Sequence, residues 1–187
     1  MKYIKRHANK IELIAEVFFL LVLFLLGCFL DHEYAVSLVW QYYLFMAVLA
    51  LIVILPVYVK SRRKQELWLF IGFNLSLLAL YFVTLSPVKP FRQFYFDIKH
   101  GMTIPEVQSR LNQRFHEGVR FPQPQGTFIY GYEDVLGKID PKEKGFLAVP
   151  DQILNYVLDP NDGRYNAEVV NVYLKDGKVV GMEYSGD

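Results

Sequence analysis

The sequence predicts a membrane protein with three transmembrane helices followed by a small α+β domain, in which an amphipathic helix packs on an antiparallel sheet. Two long runs, Tyr34 to Val59 and Leu67 to Val88, contain 26 and 22 residues without a formal charge. A helix needs about 20 mostly apolar residues to cross the hydrocarbon core of a bilayer, so each run is long enough to span it. Beyond residue 88, one helix pattern and a terminal hairpin pattern indicate a domain outside the membrane.

The first apolar run, Ile11 to Leu30, supplies the third predicted span. It carries Glu12 and Glu16 in its first turns, so its charge-free part is only Val17 to Leu30. That length also fits the apolar region of a signal peptide or a buried core helix. The predicted organisation is a three-helix transmembrane anchor over residues 1–88, a linker over residues 89–95 and the α+β domain over residues 96–187.

Basic residues of the predicted anchor cluster in two segments. Eight of the 20 Lys and Arg residues lie there, whereas the connection from Asp31 to Ser37 has none. The positive-inside rule places both basic segments in the cytoplasm. Three crossings of the inner membrane then put the N-terminus inside and the C-terminal domain outside, in the periplasm or its equivalent. The eight residues are Lys2, Lys5, Arg6, Lys10, Lys60, Arg62, Arg63 and Lys64.

The single cysteine, Cys28, admits two interpretations. Leu25 to Cys28 follows a basic start and an apolar run and resembles the lipobox of bacterial lipoproteins, in which the cysteine becomes the acylated first residue. The alternative is a small residue that packs within a helix which stays attached. Both interpretations predict the same location for the C-terminal domain.

Two acidic residues near the start of the first run could have a function in the membrane. Glu12 and Glu16 are four residues apart and therefore share one helix face. An ion or proton path would use such carboxylates. Carboxylates that reach the headgroup region, with Arg6 and Lys10 close enough to pair with them, are the simpler explanation.

The C-terminal domain begins with a clear helix start. Thr103 has the position of an N-cap, and Glu106 three residues later completes a capping-box spacing. Gly101 before the cap indicates a turn that a side chain would obstruct. Apolar residues then recur at helical spacing at Ile104, Val107, Leu111 and Phe115. The residues assigned a structural role at this helix start are Gly101, Met102, Thr103, Glu106 and Val107.

A β-hairpin is predicted at the end of the chain. Two runs rich in β-branched and aromatic residues, Ala167 to Leu174 and Lys178 to Tyr184, are separated by Asp176-Gly177, a strong two-residue turn signal. One face is expected to pack on the helix, with Leu174 opposite Val179, Val172 opposite Gly181 and Val170 opposite Glu183. The other face is a candidate partner surface, unless a second layer covers it; it carries Val169, Tyr173, Val180, Met182 and Tyr184.

Two further strands are predicted upstream of the hairpin, over Gly126 to Tyr132 and Gln152 to Leu158. The segment between them, Glu133 to Pro150, is long, charged and rich in turn residues. It is therefore predicted to be a loop.

The segments with Gly101-Met102-Thr103 and Glu106-Val107, the short amphipathic helix and the hairpin turn Asp176-Gly177 together resemble the SmpA/OmlA family. These BamE-like small envelope lipoproteins have a helix-on-sheet domain, shared with the β-lactamase-inhibitor-protein fold. The similarity covers about residues 96–187 and implies a non-enzymatic envelope domain that binds or steadies a protein partner. The chain departs from the family pattern because a second helix is not evident and because Glu133 to Pro150 has no counterpart.

Sequence motifs typical of catalysis or cofactor binding are not found. His100 and His116 flank the predicted helix near Asp97 and Glu117, but they lack a paired metal-ligand motif. Asp159 to Gly163 has its glycine one position too early for a calcium loop, so a turn explains it better. The 12 basic and 14 acidic residues after residue 88 offer no basic face for nucleic acid. We therefore expect no enzyme activity, cofactor, metal or nucleic-acid partner.

These observations predict an accessory or assembly subunit of a membrane complex, which displays a small interaction domain to the periplasmic side. Its expected partners are the lipid bilayer and a membrane or envelope protein. A stand-alone envelope sensor or inhibitor that acts through the 133–150 loop is the alternative. A third, weaker hypothesis is a hydrolase or transporter fragment that uses Glu12 and Glu16.

Overall fold

The computed structural model describes residues 2–61, 64–116, 121–129, 145–158 and 168–186. The chain divides into two compact units, Met1–Lys89 and Pro90–Asp187. The first unit contains helices α1 (Lys2–Tyr34), α2 (Trp40–Ser61) and α3 (Lys64–Leu80), with a short 3-10 turn at Val36–Leu38 between α1 and α2.

Helix α4 (Val88–Asp97) begins at the end of the first unit, and the predicted linker over residues 89–95 lies within it. The second unit continues with helix α5 and a four-stranded antiparallel sheet of strand order β1-β2-β3-β4. Their bounds are α5 Ile104–Arg114, β1 Gln125–Ile129, β2 Gln152–Val157, β3 Val169–Lys175 and β4 Lys178–Ser185.

Two helices in the described part of the chain are long and apolar enough to cross a membrane. They comprise Ile11–Tyr34, with a mean hydropathy of 2.8, and Trp40–Lys60, with a mean hydropathy of 2.4. The first two predicted apolar runs are therefore helices of spanning length.

The prediction of three transmembrane helices is wrong. Helix α3 has 17 residues and ends at Leu80, although the charge-free run continues to Val88. The helical part of that run rises about 21 Å, well short of the roughly 30 Å of bilayer hydrocarbon. The chain between α3 and α4 is not helical, and Pro87 disfavours helical conformation at Ser86 just before it. The length of a charge-free run therefore overestimated the length of the helix.

One apolar cluster holds the first unit together. α2 contributes four residues at helical spacing, and α1 and α3 contribute the rest. Gly27 of α1 permits a close contact, because a Cβ atom there would lie 2.5 Å from the Tyr42 hydroxyl oxygen. The buried residues of the cluster are Leu20, Leu23, Tyr42, Met46, Ala50, Ile54, Phe73, Leu77 and Leu80.

The two helices of the second unit bury aromatic and aliphatic residues together with one face of the sheet. The ring centroids of Phe94 on α4 and Tyr156 on β2 are 5.1 Å apart, and those of Phe91 and Tyr184 are 6.4 Å apart. The Tyr156 hydroxyl donates to Gln108 on α5 at 3.4 Å. Buried residues include Phe91, Phe94, Ile98, Val107, Leu111, Phe115, Tyr156, Val170, Val172 and Leu174.

The predicted helix start is confirmed. The Thr103 backbone N–H donates to Glu106 Oε2 at 2.7 Å, and Gly101 has φ of +83°. The turn also joins the sheet, because the Gly101 N–H donates to the Val179 carbonyl and the Val179 N–H donates to the Met102 carbonyl, both at 2.8 Å. The Gly101-Met102-Thr103 segment therefore covers the start of the β4 edge.

The predicted hairpin turn is confirmed, but its register is wrong beyond the first pairs. Leu174 pairs with Val179 as expected, with Asp176 and Gly177 at positive φ. A β-bulge then inserts Val180, so that Tyr173 pairs with Gly181. Every later residue of β4 therefore changes face, because side chains alternate along a strand. Val172 thus pairs with Met182 and Val170 with Tyr184, instead of Gly181 and Glu183.

Candidate functional site

The first unit holds a buried ion pair between Asp31, near the end of α1, and Lys89, in the first turn of α4. The two side chains are 0% and 2% exposed, with 3.2 Å between Lys89 Nζ and Asp31 Oδ2. Lys89 Nζ also donates to the carbonyl oxygens of Leu80 and of Val83, the latter at 2.9 Å. The Ser37 backbone N–H donates to Asp31 Oδ1 at 2.8 Å.

This arrangement uses all three donors of the ammonium group and gives each Asp31 carboxylate oxygen one hydrogen bond. The ammonium group has three donors, and three acceptors surround it. Carbonyl groups at the end of a helix lack intrahelical partners, so the Lys89 amine also caps α3. The pair therefore ties α1, α3 and the start of α4 together, and its chemistry is that of a structural connection.

The opposite end of the bundle also carries charged groups. Lys60 Nζ of α2 lies 3.2 Å from Glu12 Oε1 of α1. Glu16 and Glu66 are buried, and the Glu66 carboxylate oxygens form no hydrogen bond to the residues that the structure describes. The structure therefore places Glu12 in a surface ion pair, while an ion or proton path through these carboxylates stays a prediction.

The second face of the sheet is covered by the segment that follows Gly145. Phe146 packs on Tyr173, with ring centroids 4.5 Å apart, and the two form a buried cluster with Ile153 and Val180. The Leu147 backbone N–H donates to the Val180 carbonyl at 2.8 Å, next to the bulge. Gly181 leaves room for the Phe146 ring, since a Cβ atom there would lie 2.2 Å from it.

Two apolar side chains of the same segment point away from the sheet. Leu147 is 69% exposed and Val149 is 48% exposed, whereas Phe146 is 8% exposed. We call Leu147 and Val149 the apolar strip. A fixed, exposed apolar pair on an ordered sheet is a feature suited to protein contact.

Two hydrogen bonds between tyrosine and glutamate side chains stabilise the hairpin. The Tyr173 hydroxyl donates to Glu183 Oε2 at 3.0 Å, and burial, followed by this carboxylate, raises the pKa of Tyr173 to about 12. Burial and the hydrogen bond to Glu168 also raise the pKa of Tyr184. Both hydroxyl groups therefore stay protonated at neutral pH, and they act as hydrogen-bond donors within the fold.

The bulge separates the four residues predicted to contact a partner. Tyr173 and Val180 lie beneath Phe146 and are about nine-tenths buried. Tyr184 lies on the other face, against Phe91 and Tyr95, and Met182 shares that face through its pairing with Val172. The four residues thus do not form one surface, although a contact role for each of them stays a prediction.

The remaining predicted sites have different outcomes. Asp97, proposed near a histidine site, binds Arg114 at 2.7 Å, and no group of three potential metal ligands occurs among the described residues. Cys28 is half-buried within the last two turns of the continuous helix α1, and its lipidation stays a prediction. The Asp159–Gly163 turn and positions 133–144 of the predicted loop lie outside the described residues.

The apolar strip was missed in the sequence. Phe146 to Val149 is a short apolar run, but it lies within a segment classified as a charged loop. All four residues are apolar, so the sequence has no alternation that would indicate which side chains stay exposed. Nothing within the segment indicates which face of the sheet it covers.

No family model, curated protein or solved structure matches this chain. The similarity to the SmpA/OmlA family therefore stays a prediction that rests on the local motifs.

Proposed function

We propose that this protein is an accessory or assembly subunit of a membrane complex, whose second unit binds a protein partner without catalysis. The apolar strip carries the proposal. Leu147 and Val149 are exposed on a segment that is held to the sheet by Phe146 and by a backbone hydrogen bond. Burying two such side chains against a partner yields about 1.5–3 kcal/mol for each side chain. The contact is preorganised, because the segment is already ordered on the sheet.

The two apolar helices support a location in a membrane, and we propose the inner membrane with a multi-pass arrangement. The basic residues around Lys60 and Lys64 would face the cytoplasm under the positive-inside rule. The first unit ends at Lys89, which contacts Asp31. Asp31 lies about 30 Å along α1 from Glu12, the residue that pairs with Lys60. The connection between α1 and α2 would then lie on the extracytoplasmic side.

A reporter that is active only in the cytoplasm tests this orientation. Fused before Met1, it should be active, whereas a reporter joined after Ala35, between α1 and α2, should be inactive. Activity of the fusion after Ala35 would place this connection in the cytoplasm and would contradict the proposed orientation.

Affinity purification tests the partner hypothesis. The intact protein should be extracted from native membranes in a mild detergent and should retain a stoichiometric partner, identified by mass spectrometry. The Leu147→Asp/Val149→Asp variant should lose that partner, because two charges would enter the apolar contact. Gln125→Asp adds one negative charge at an exposed position of β1 and should retain it. Recovery of the partner with the double variant would reject the apolar strip as the contact surface.

A further inference from the structure

A groove runs between α1 and α3 on the outer surface of the first unit. Its volume is about 300 Å³, which is at the lower limit of ordinary small-molecule sites. On the α1 side it lies within the candidate span Ile11–Tyr34. The residues that line it are Val17, Leu20, Leu21, Phe24, Trp68, Leu69, Gly72, Phe73 and Ser76.

The groove is open at Gly72 and Ser76, and neither residue needs a polar partner from a ligand. A Cβ atom added to Gly72 would have no neighbour within 4 Å. The Ser76 hydroxyl donates to the Gly72 carbonyl at 2.8 Å, so its hydrogen is already used within α3. An alkyl chain would therefore fit this surface without leaving a polar group unsatisfied.

Beyond Trp68 the surface next to the groove presents the positive charge of Lys64, because the acidic residues of this end, Glu16 and Glu66, are buried in the bundle. Lys64, Trp68 and Gly72 are spaced by four residues and therefore lie along one face of α3. Lys64 is exposed and occupies the first position of the helix, where the helix dipole is positive. Trp68, one turn further, is 69% exposed. Tryptophan commonly lies at the level of the lipid headgroups.

We propose that the groove binds one acyl chain of an anionic phospholipid, whose headgroup phosphate lies at Lys64. An anionic phospholipid matches the two features that follow each other along α3. These are the positive charge of Lys64 and the apolar groove. Basic residues at the cytoplasmic ends of membrane helices attract anionic headgroups in this way. The proposal rests on the membrane insertion proposed above and does not depend on the partner of the second unit.

Fluorescence quenching tests the proposal, because Trp68 lines the groove and the chain contains only two tryptophans. The Trp40→Phe variant, which keeps Trp68, is reconstituted in phosphatidylcholine vesicles with a minor fraction of acyl-brominated lipid. Brominated phosphatidylglycerol should quench Trp68 with an apparent affinity on the order of fivefold higher than brominated phosphatidylcholine, as expected for one lysine near the headgroup. In the Trp68→Phe variant, Trp40 should be quenched equally by both lipids.

Substitutions at Gly72 and Lys64 test the apolar groove and the positive charge separately. Gly72→Leu should fill the groove and remove the excess quenching by the anionic lipid. It should fold because the added Cβ atom has no neighbour within 4 Å. Ala79→Leu places the same side chain at an exposed position of α3 outside the groove and should leave the quenching unchanged. Lys64→Gln should make the two brominated lipids equivalent.

The outcomes distinguish this proposal from the proposed membrane location. Equal quenching of Trp68 by both lipids in the parent variant would overturn the phospholipid site and leave membrane insertion standing. No quenching by either lipid would overturn both. Retention of the anionic preference in both Gly72→Leu and Lys64→Gln would also reject the site, since the preference would then arise elsewhere.

Discussion

Lys89 connects the ends of α1 and α3. Its ammonium group neutralises Asp31 and donates to the carbonyls of Leu80, the last residue of α3, and of Val83. Removing one partner of a buried ion pair leaves the other charge without compensation, and this loss exceeds what the intact pair contributes. The Asp31–Lys89 connection is therefore the residue-level feature most sensitive to substitution in the first unit.

Lys89→Met should lower the free energy of unfolding of the first unit by about 3–5 kcal/mol, because the Asp31 carboxylate would stay buried and unpaired. Thermal unfolding of the protein in detergent, followed by tryptophan fluorescence, measures the change. The Asp31→Asn/Lys89→Met double variant should recover much of the loss, because no unpaired charge remains. An unfolding temperature equal to that of the wild-type protein for Lys89→Met would refute this role.

Glu106 gives the start of α5 a defined pH dependence. Hydrogen bonds from the Thr103 backbone and hydroxyl hold the pKa of this carboxyl below its usual value. A lowered folded-state pKa stabilises the fold above the unfolded-state pKa, and the stabilisation disappears as the pH falls through the folded-state pKa. Hydrogen exchange in the first turn of α5 should accelerate, relative to a distant reference helix, as the pH falls below about 4.

Two variants complete this test. Glu106→Gln should remove the pH-dependent part of the protection, because it cannot titrate. Thr103→Ala should cost about 1 kcal/mol through the lost cap. A Glu106→Gln variant with the same pH profile as the wild-type protein would contradict the assignment.

At the scale of elements, the bulge in β4 and the covering segment depend on each other. The bulge turns Gly181 towards Phe146, and the missing side chain at Gly181 leaves space for the ring. The bulged strand also presents the Val180 carbonyl to the Leu147 N–H. The packing of the Phe146 segment on the sheet therefore depends on the absence of a side chain at Gly181.

Gly181→Ala should displace Phe146 and destabilise the second unit, because the new Cβ atom would overlap the ring. Phe146→Ala alone should cost about 3–5 kcal/mol, the usual range for a buried phenylalanine. The two effects should be strongly non-additive in the double variant, because both remove the same packing contact. Chemical unfolding followed by tyrosine fluorescence measures each change, and simple additivity would show that the contact is not shared.

Local signals account for what the sequence predicted correctly in the second unit. The Asp176-Gly177 turn and the Thr103 cap are specified by residues within a few positions of each other. The bulge depends on Phe146, 35 positions before Gly181, so no local pattern reveals it. Helix α4 was classified as a connector, although Phe91 and Phe94 already have helical spacing.

The difference between local signals and contacts distant in sequence also explains why three transmembrane helices were predicted for the first unit. Charge-free length is a property of composition, whereas α3 ends at Leu80, whose carbonyl accepts a hydrogen bond from Lys89 of the next element. The candidate contact surface was missed for a related reason. Leu147 and Val149 become a surface only after Phe146 has docked on a sheet whose strands come from elsewhere in the chain.

At the scale of the whole molecule, two compact units with separate cores predict separate unfolding transitions. Both tryptophans, Trp40 and Trp68, belong to the first unit, so their fluorescence reports that unit alone. Val170→Asp places a charge in the core of the second unit, where Val170 is fully buried. It should abolish the protection of the β2, β3 and β4 amides from hydrogen exchange and leave the tryptophan-detected transition in place. A coincident loss of the amide protection and of the tryptophan-detected transition would show that the units fold as one.

Cys28, half-buried in α1, is the only thiol of the chain, so the second unit contains none. Its sheet and helices are therefore held together without a disulfide, and no intrachain cross-link can form in an oxidising environment. The stability of this unit is consequently independent of the thiol redox state of the compartment in which it folds. A maleimide label on the intact protein would report a single position, at the depth of Cys28 in the first helix.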